Sequence, residues 1–206
     1  MALVAKPTPS GWRGADSMPF STGGTAAQAK ALRGAGMDFI VLYLGVAGKA
    51  QVDACAAAGL AVFGVTVANS YDGEAAVERA EAMGLPPGTS LFLDLEGMAA
   101  YRTPPADLIA QINGWADLVK AGGYLPGLYV ASPQPLTTDE LWHLHVERYW
   151  RAPARIVDRN GQLAEPNCGW CVYQGNPSRM WAGVWVDVDF VSEDFHGRTP
   201  AMAVPG

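Results

Sequence analysis

Leu91-Phe92-Leu93-Asp94-Leu95-Glu96 alternates leucine with a second series that ends in two acids. Successive side chains of an extended strand point to opposite faces, so Leu91, Leu93 and Leu95 share one face and Phe92, Asp94 and Glu96 the other. In the wall of a β/α barrel the leucines would face the surrounding helices, and the acids would face the mouth of the interior. Barrel enzymes build their sites at the C-terminal ends of their strands. Carboxylates are costly to bury without a purpose, which favours a functional reading of Asp94 and Glu96 over a structural ion pair.

Outward from this strand, short β-rich runs alternate with helical patterns, as in parallel strands joined by crossovers. Strands are expected at 12–17, 39–44, 60–67, 90–96 and 125–131. Helices are expected at 25–35, 49–58, 74–83, from Pro104-Pro105 to 121, and from a Thr137/Glu140 capping box to 147. Thereafter helical periodicity disappears, and strand-like runs remain at 149–152, 169–174 and 184–191. The expectation is an α/β fold, a TIM-like barrel of the (β/α)5β3 variant with eight strands and about five helices. It fills one domain, 1–206, with a core at about 11–192 and short peripheral tails.

The final run repeats the alternation, with Val184, Val186 and Val188 turned outward and Trp185, Asp187 and Asp189 turned inward. Barrel closure makes the first and last strands neighbours, so Asp16, at the end of the first strand, should lie beside Asp187 and within reach of Asp94 and Glu96. Like charges so close raise at least one pKa, and a carboxylic acid that stays protonated near neutrality can protonate a glycosidic leaving oxygen. Glu96, nearest the rim, is the candidate general acid, with Asp94, Asp16 and Asp187 around it. Two routes stay open: a substrate-assisted one in which Asp94 orients a 2-acetamido group, and direct displacement with Asp16 or Asp187 activating water.

Trp12, Tyr43, Tyr129, Trp150, Trp170, Trp181 and Trp185 fall at or near strand ends, where flat aromatic faces suit sugar rings, although core packing is the commoner role for each alone. Tyr43, Tyr129, Trp150, Gln174 and Asp189 are the expected substrate contacts.

Composition excludes several function classes. The net charge is -6 with 14 Lys and Arg and no basic run, so nucleic acid is not an expected partner. No apolar stretch has membrane-spanning length. The start shows no signal-peptide pattern, which predicts a chain cytoplasmic at synthesis. The three cysteines include one C-x-x-C, Cys168 and Cys171, without a second pair, and packing is their expected role. His143 and His145 diverge on the expected helix and His196 lies near the tail, so no metal and no cofactor are expected. No G-x-S-x-G elbow, phosphate loop or dinucleotide fingerprint is present.

Gly14-Ala15-Asp16-Ser17, Phe39 to Gly45, Asp94-Leu95-Glu96-Gly97, Gly127-Leu128-Tyr129, Tyr149-Trp150-Arg151-Ala152, Val172-Tyr173-Gln174 and Val186-Asp187-Val188-Asp189 follow one another in a telling order. Over about residues 11 to 192 the chain resembles glycoside hydrolase family 25 lysozymes and, more closely, the related glycoside-hydrolase-like domain DUF1906 of bacterial and phage proteins. The resemblance implies hydrolysis of the β-1,4 bond between N-acetylmuramic acid and N-acetylglucosamine in peptidoglycan, with Glu96 as acid and no cofactor. The second strand ends Leu42-Tyr43-Leu44-Gly45 where the lysozymes carry a Lys-Ala-Thr-Glu-Gly-like segment, and no Gln follows Asp16-Ser17 at the usual place. A phage-type lysin, acting at the wall after release or as part of a virion among particle proteins, fits this reading. The alternatives are a catalytically inactive glycan-binding module and a virion docking component on the same barrel.

Overall fold

In the computed structural model, which describes residues 2–131, 133–175 and 178–206, the chain opens with a short strand, β1 (Leu3–Pro7). Then come β2 (Arg13–Asp16), α1 (Met18–Gly23), α2 (Ala26–Gly34), β3 (Phe39–Tyr43), α3 (Lys49–Ala58), β4 (Ala61–Val65), α4 (Gly73–Met83) and β5 (Ser90–Leu95). The second half runs α5 (Met98–Arg102), α6 (Pro105–Ala121), β6 (Leu125–Val130), α7 (Thr138–Leu141), β7 (Arg148–Arg151), β8 (Val172–Gln174), β9 (Arg179–Trp181), β10 (Val184–Val191) and β11 (Ala201–Pro205). Strands β2 to β8 are parallel in sequence order, and β10 closes the ring between β8 and β2, so the expected eight-stranded barrel is present.

Strand alternation divides the apolar residues as expected. Ile40, Leu42, Leu91, Leu93 and Leu95 pack outward with the helices, whereas Phe39, Val41, Phe63, Phe92 and Trp150 fill the interior. Two inward glycines make room for rings on the adjoining strand. Gly14 is paired with Phe39 and Gly127 with Phe92, and a Cβ at either position would lie 2.3 or 2.6 Å from its partner's ring. Such small-large complementarity lets a narrow barrel pack solidly. Phe63, Phe92 and Trp150 meet at centroid separations of 5.0 to 5.9 Å and plug the barrel below its mouth.

Four features depart from the expectations or add to them. First, β10 is antiparallel to both neighbours, because the short β9–β10 hairpin reverses the chain before it re-enters the barrel. Second, the helix expected to reach residue 147 stops at Leu141. Asn113 donates to the His143 carbonyl and accepts from the His145 amide, so tertiary partners take the backbone groups that a further turn would use. His143 and His145 therefore lie beyond that helix. Third, two short helices, α1 and α5, were not expected. Fourth, the chain after Gly197 is not peripheral. Strand β11 pairs with β1 and bridges to β4 through Ala203 and Val62, where the bottom of β4 has parted from β5. The Ala201 amide donates to Ser90 Oγ, and Met202 is fully buried among the interior residues as a stopper in the barrel floor.

Candidate active site

Register brings the acids together. Asp16 and Asp187 are directly opposed on β2 and β10, and Asp94, one residue before the end of β5, lies beside Tyr129 of β6. Because β10 runs antiparallel, its first half, not its end, reaches the mouth, and this is how Asp187 meets Asp16. Asp16, Tyr43, Asp94, Glu96, Tyr129, Gln174 and Asp187 line a cavity of about 90 Å³ whose floor includes Val65 and Trp150.

Hydrogen bonds tie Asp16, Tyr43, Tyr129 and Gln174 into one network. Gln174 Nε2 donates to Asp16 Oδ2 at 2.9 Å, and Gln174 Oε1 accepts from the Tyr129 hydroxyl at 2.8 Å. The Tyr43 hydroxyl donates to Asp16 Oδ1 at 3.2 Å. Ser178 donates its hydroxyl hydrogen to Asp187 Oδ1. Trp150, expected to touch substrate, is only 2% exposed, and its indole N–H is committed to Asp189 Oδ1 at 3.0 Å. Asp189 is fully buried and absent from the cavity lining, so it stands behind Asp16 instead of on the wall where substrate contact would place it. Trp170 packs outward against Tyr149, away from the mouth.

Burial controls the protonation of these groups. Desolvation pushes Asp94 from the ordinary 3.8 up to about 8, reinforced by the charges of Glu96 and Asp16. Desolvation likewise lifts Asp16 to about 6, against the opposing hydrogen bond from Gln174. Asp189 is raised well above the carboxylate range, by desolvation first and then by Asp16. Its Oδ2 is buried with no ordinary donor. A proton held there and shared with Asp16 resolves that orphan, since two facing carboxyls cannot both ionise at such proximity. Glu96, exposed at the rim just past β5, is raised by desolvation and by Asp187. Burial and the Asp16 charge hold the Tyr43 hydroxyl protonated far beyond its usual range.

Sequence reading missed Asn69. It takes the left-handed conformation (φ 59°), which asparagine tolerates better than most residues. From there its amide donates to the Asp94 carbonyl at 3.0 Å and its Nδ2 to the Glu96 carbonyl at 2.6 Å. The Tyr71 hydroxyl donates to Asn69 Oδ1 at 3.1 Å and fixes the side chain. Gly97 follows Glu96 with φ 86°, a conformation natural to glycine that turns the chain sharply off the rim. Asn69 could have been suspected only as a loop residue tolerant of positive φ, not as a partner of β5. Among the described residues, no cluster of His, Cys, Asp or Glu has a geometry able to hold a metal ion.

A closed β/α barrel with carboxyl groups gathered at its mouth, their pKa values raised by burial, is a glycosidase-like fold. Residues 12–196 match the model of the Rv2525c-like, glycoside hydrolase-like domain, and the chain belongs to that family. No curated protein matches the chain significantly. Among solved structures, an uncharacterized protein of B. stearothermophilus is 19% identical with a TM-score of 0.65, covering 88% of this chain and 96% of that one. The Tat-secreted protein Rv2525c of Mycobacterium tuberculosis is 16% identical with a TM-score of 0.60, over 92% of this chain and 99% of the other. The spore cortex lytic enzyme SleM of Clostridium perfringens is 18% identical with a TM-score of 0.57, over 91% of this chain and 69% of that enzyme. At such identities these likenesses concern the fold.

Proposed function

We propose that the chain is a glycoside hydrolase that cleaves β-1,4 bonds in the glycan strands of peptidoglycan. Glu96 is the general acid, and Asp94, Asp16 and Asp187 stand around the reacting sugar. The observation that carries the reading is the pair at the C-terminal end of β5: an acid raised at the solvent edge beside a buried acid with an unpartnered oxygen. The likeness to a cortex lytic enzyme supports a wall polysaccharide as substrate.

Asp94 Oδ1 is buried and accepts no hydrogen bond within the protein. The N–H of a 2-acetamido group would satisfy it, which favours the substrate-assisted route. In that route Glu96 gives its proton to the glycosidic oxygen as the acetamido carbonyl oxygen attacks the anomeric carbon and the C–O bond breaks. Water then opens the oxazolinium ring and returns a proton to the Glu96 carboxylate. Retention of configuration follows, because the anomeric carbon is inverted twice. Asp16, held by Gln174 and Tyr43, supports the ring from the opposite side of the basin.

The test is incubation of purified peptidoglycan with wild type and Glu96→Gln, followed by borohydride reduction and identification of the new reducing ends. The expected result is release of reducing muramic acid by wild type and a loss of about 10²- to 10⁴-fold in Glu96→Gln. Equal release by both proteins would end the proposal.

A further inference from the structure

Beside the acidic basin lies a wider cavity of about 180 Å³ that shares Asp16, Tyr43 and Asp187 with it. Its remaining wall is Ser17, Met18 and Pro19 at the start of α1, Ser178, and Trp185 and Val186 of β10. Trp185 stands two residues before Asp187, so both side chains face the mouth. Its cross-strand partner on β9 is Met180, on the same face of the hairpin. Trp185 is 55% exposed and Met180 51%, although the opposite face of β10 is buried at Val184 and Val186.

The platform is firmly held. Ser17 Oγ donates to the Trp185 carbonyl at 2.7 Å, tying the hairpin to the end of β2. Behind it the Arg13 guanidinium lies 5.3 Å from the Trp181 ring centre. An exposed indole on an anchored hairpin, continuous with a basin of carboxyl groups, suits a ligand with one apolar face and a polar edge.

A pyranose ring is such a ligand: its C–H face stacks on an indole, and its edge hydroxyls donate to carboxylates. We propose that this second cavity is a sugar subsite, in which the ring adjoining the reacting sugar stacks on Trp185 while its polar edge meets Asp187. The inference rests on the glycosidase reading of the basin and deepens it. Because the two cavities share three residues, consecutive rings of one strand fill both, and the substrate is a polymer in preference to a single sugar.

The test uses glycan strands of peptidoglycan stripped of their stem peptides, titrated calorimetrically into Glu96→Gln protein so that turnover does not intervene. Adding Trp185→Ala should weaken strand binding about tenfold, and Trp185→Tyr should restore most of it. The side chain is exposed, so circular dichroism and the thermal midpoint should match those of the parent protein. Unchanged strand affinity in Trp185→Ala, or no measurable strand binding to the Glu96→Gln protein, would overturn the subsite. Trp185-dependent binding without release of reducing ends by wild type would uphold the subsite and sink the hydrolase reading alone.

Discussion

Replacing Asp94 by asparagine should make the protein more stable near neutral pH. Asp94 is 3% exposed and its pKa is pushed from 3.8 to about 8. The folded chain therefore holds a proton that the unfolded chain releases, so Asp94 favours folding most below its unfolded pKa. That contribution is lost as pH rises through the interval and is gone above about 8. Between pH 4 and 7, a slope of about 1.4 kcal/mol per pH unit amounts to about 4 kcal/mol. Asparagine has nearly the same shape and does not ionise. Urea unfolding followed by tryptophan fluorescence at intervals from pH 4 to 7 measures the stability of both proteins. The variant's advantage should grow by about 4 kcal/mol across that range, while its release of reducing ends falls. A difference that stays flat with pH would show that Asp94 is ionised in the folded protein, and the account of its burial would be wrong.

Since burial and the charge of Asp187 hold Glu96 above 4.5, activity should fall on the alkaline side as Glu96 loses its proton, and Asp187→Asn should move that limb toward acid in a pH profile of kcat/KM. Met202→Ala should cost about 2 to 5 kcal/mol in urea unfolding by opening a void in the barrel floor, whereas a loss near zero would show the C-terminal strand to be dispensable. Asn69→Ala should lower kcat more than it raises KM, because it frees the backbone that aims Glu96 without removing a contact to substrate, and the two constants measured on soluble glycan strands separate these effects.

The alternation at 91–96 and 184–189 was legible because a strand half facing helices and half facing a polar mouth imprints a period of 2 on its residues. Together with barrel closure it brings Asp16, Asp94 and Asp187 to one basin, where register pairing and the shared cavity lining also put them. The same period carries no sense of direction, which is why β10 reads alike whether parallel or antiparallel. Met202 was illegible for a different reason: Ala201-Met202-Ala203-Val204 is too short to announce its partner, and the gap between β4 and β5 that it fills exists only in three dimensions. The roles of Trp150 and Asp189 were also hidden. Composition cannot tell an aromatic that faces a ligand from one whose N–H supports a buried carboxyl, and here Trp150 does the second. Asn69 acts through backbone carbonyls, which leave no trace in residue type.

The arrangement of acids around one basin is tested most directly by a crystal structure of the Glu96→Gln protein with a bound peptidoglycan glycan strand. A glycosidic oxygen is expected within hydrogen-bond reach of the substituted side chain, with an acetamido nitrogen facing Asp94. A strand bound elsewhere on the barrel, with the basin left to solvent, would contradict it.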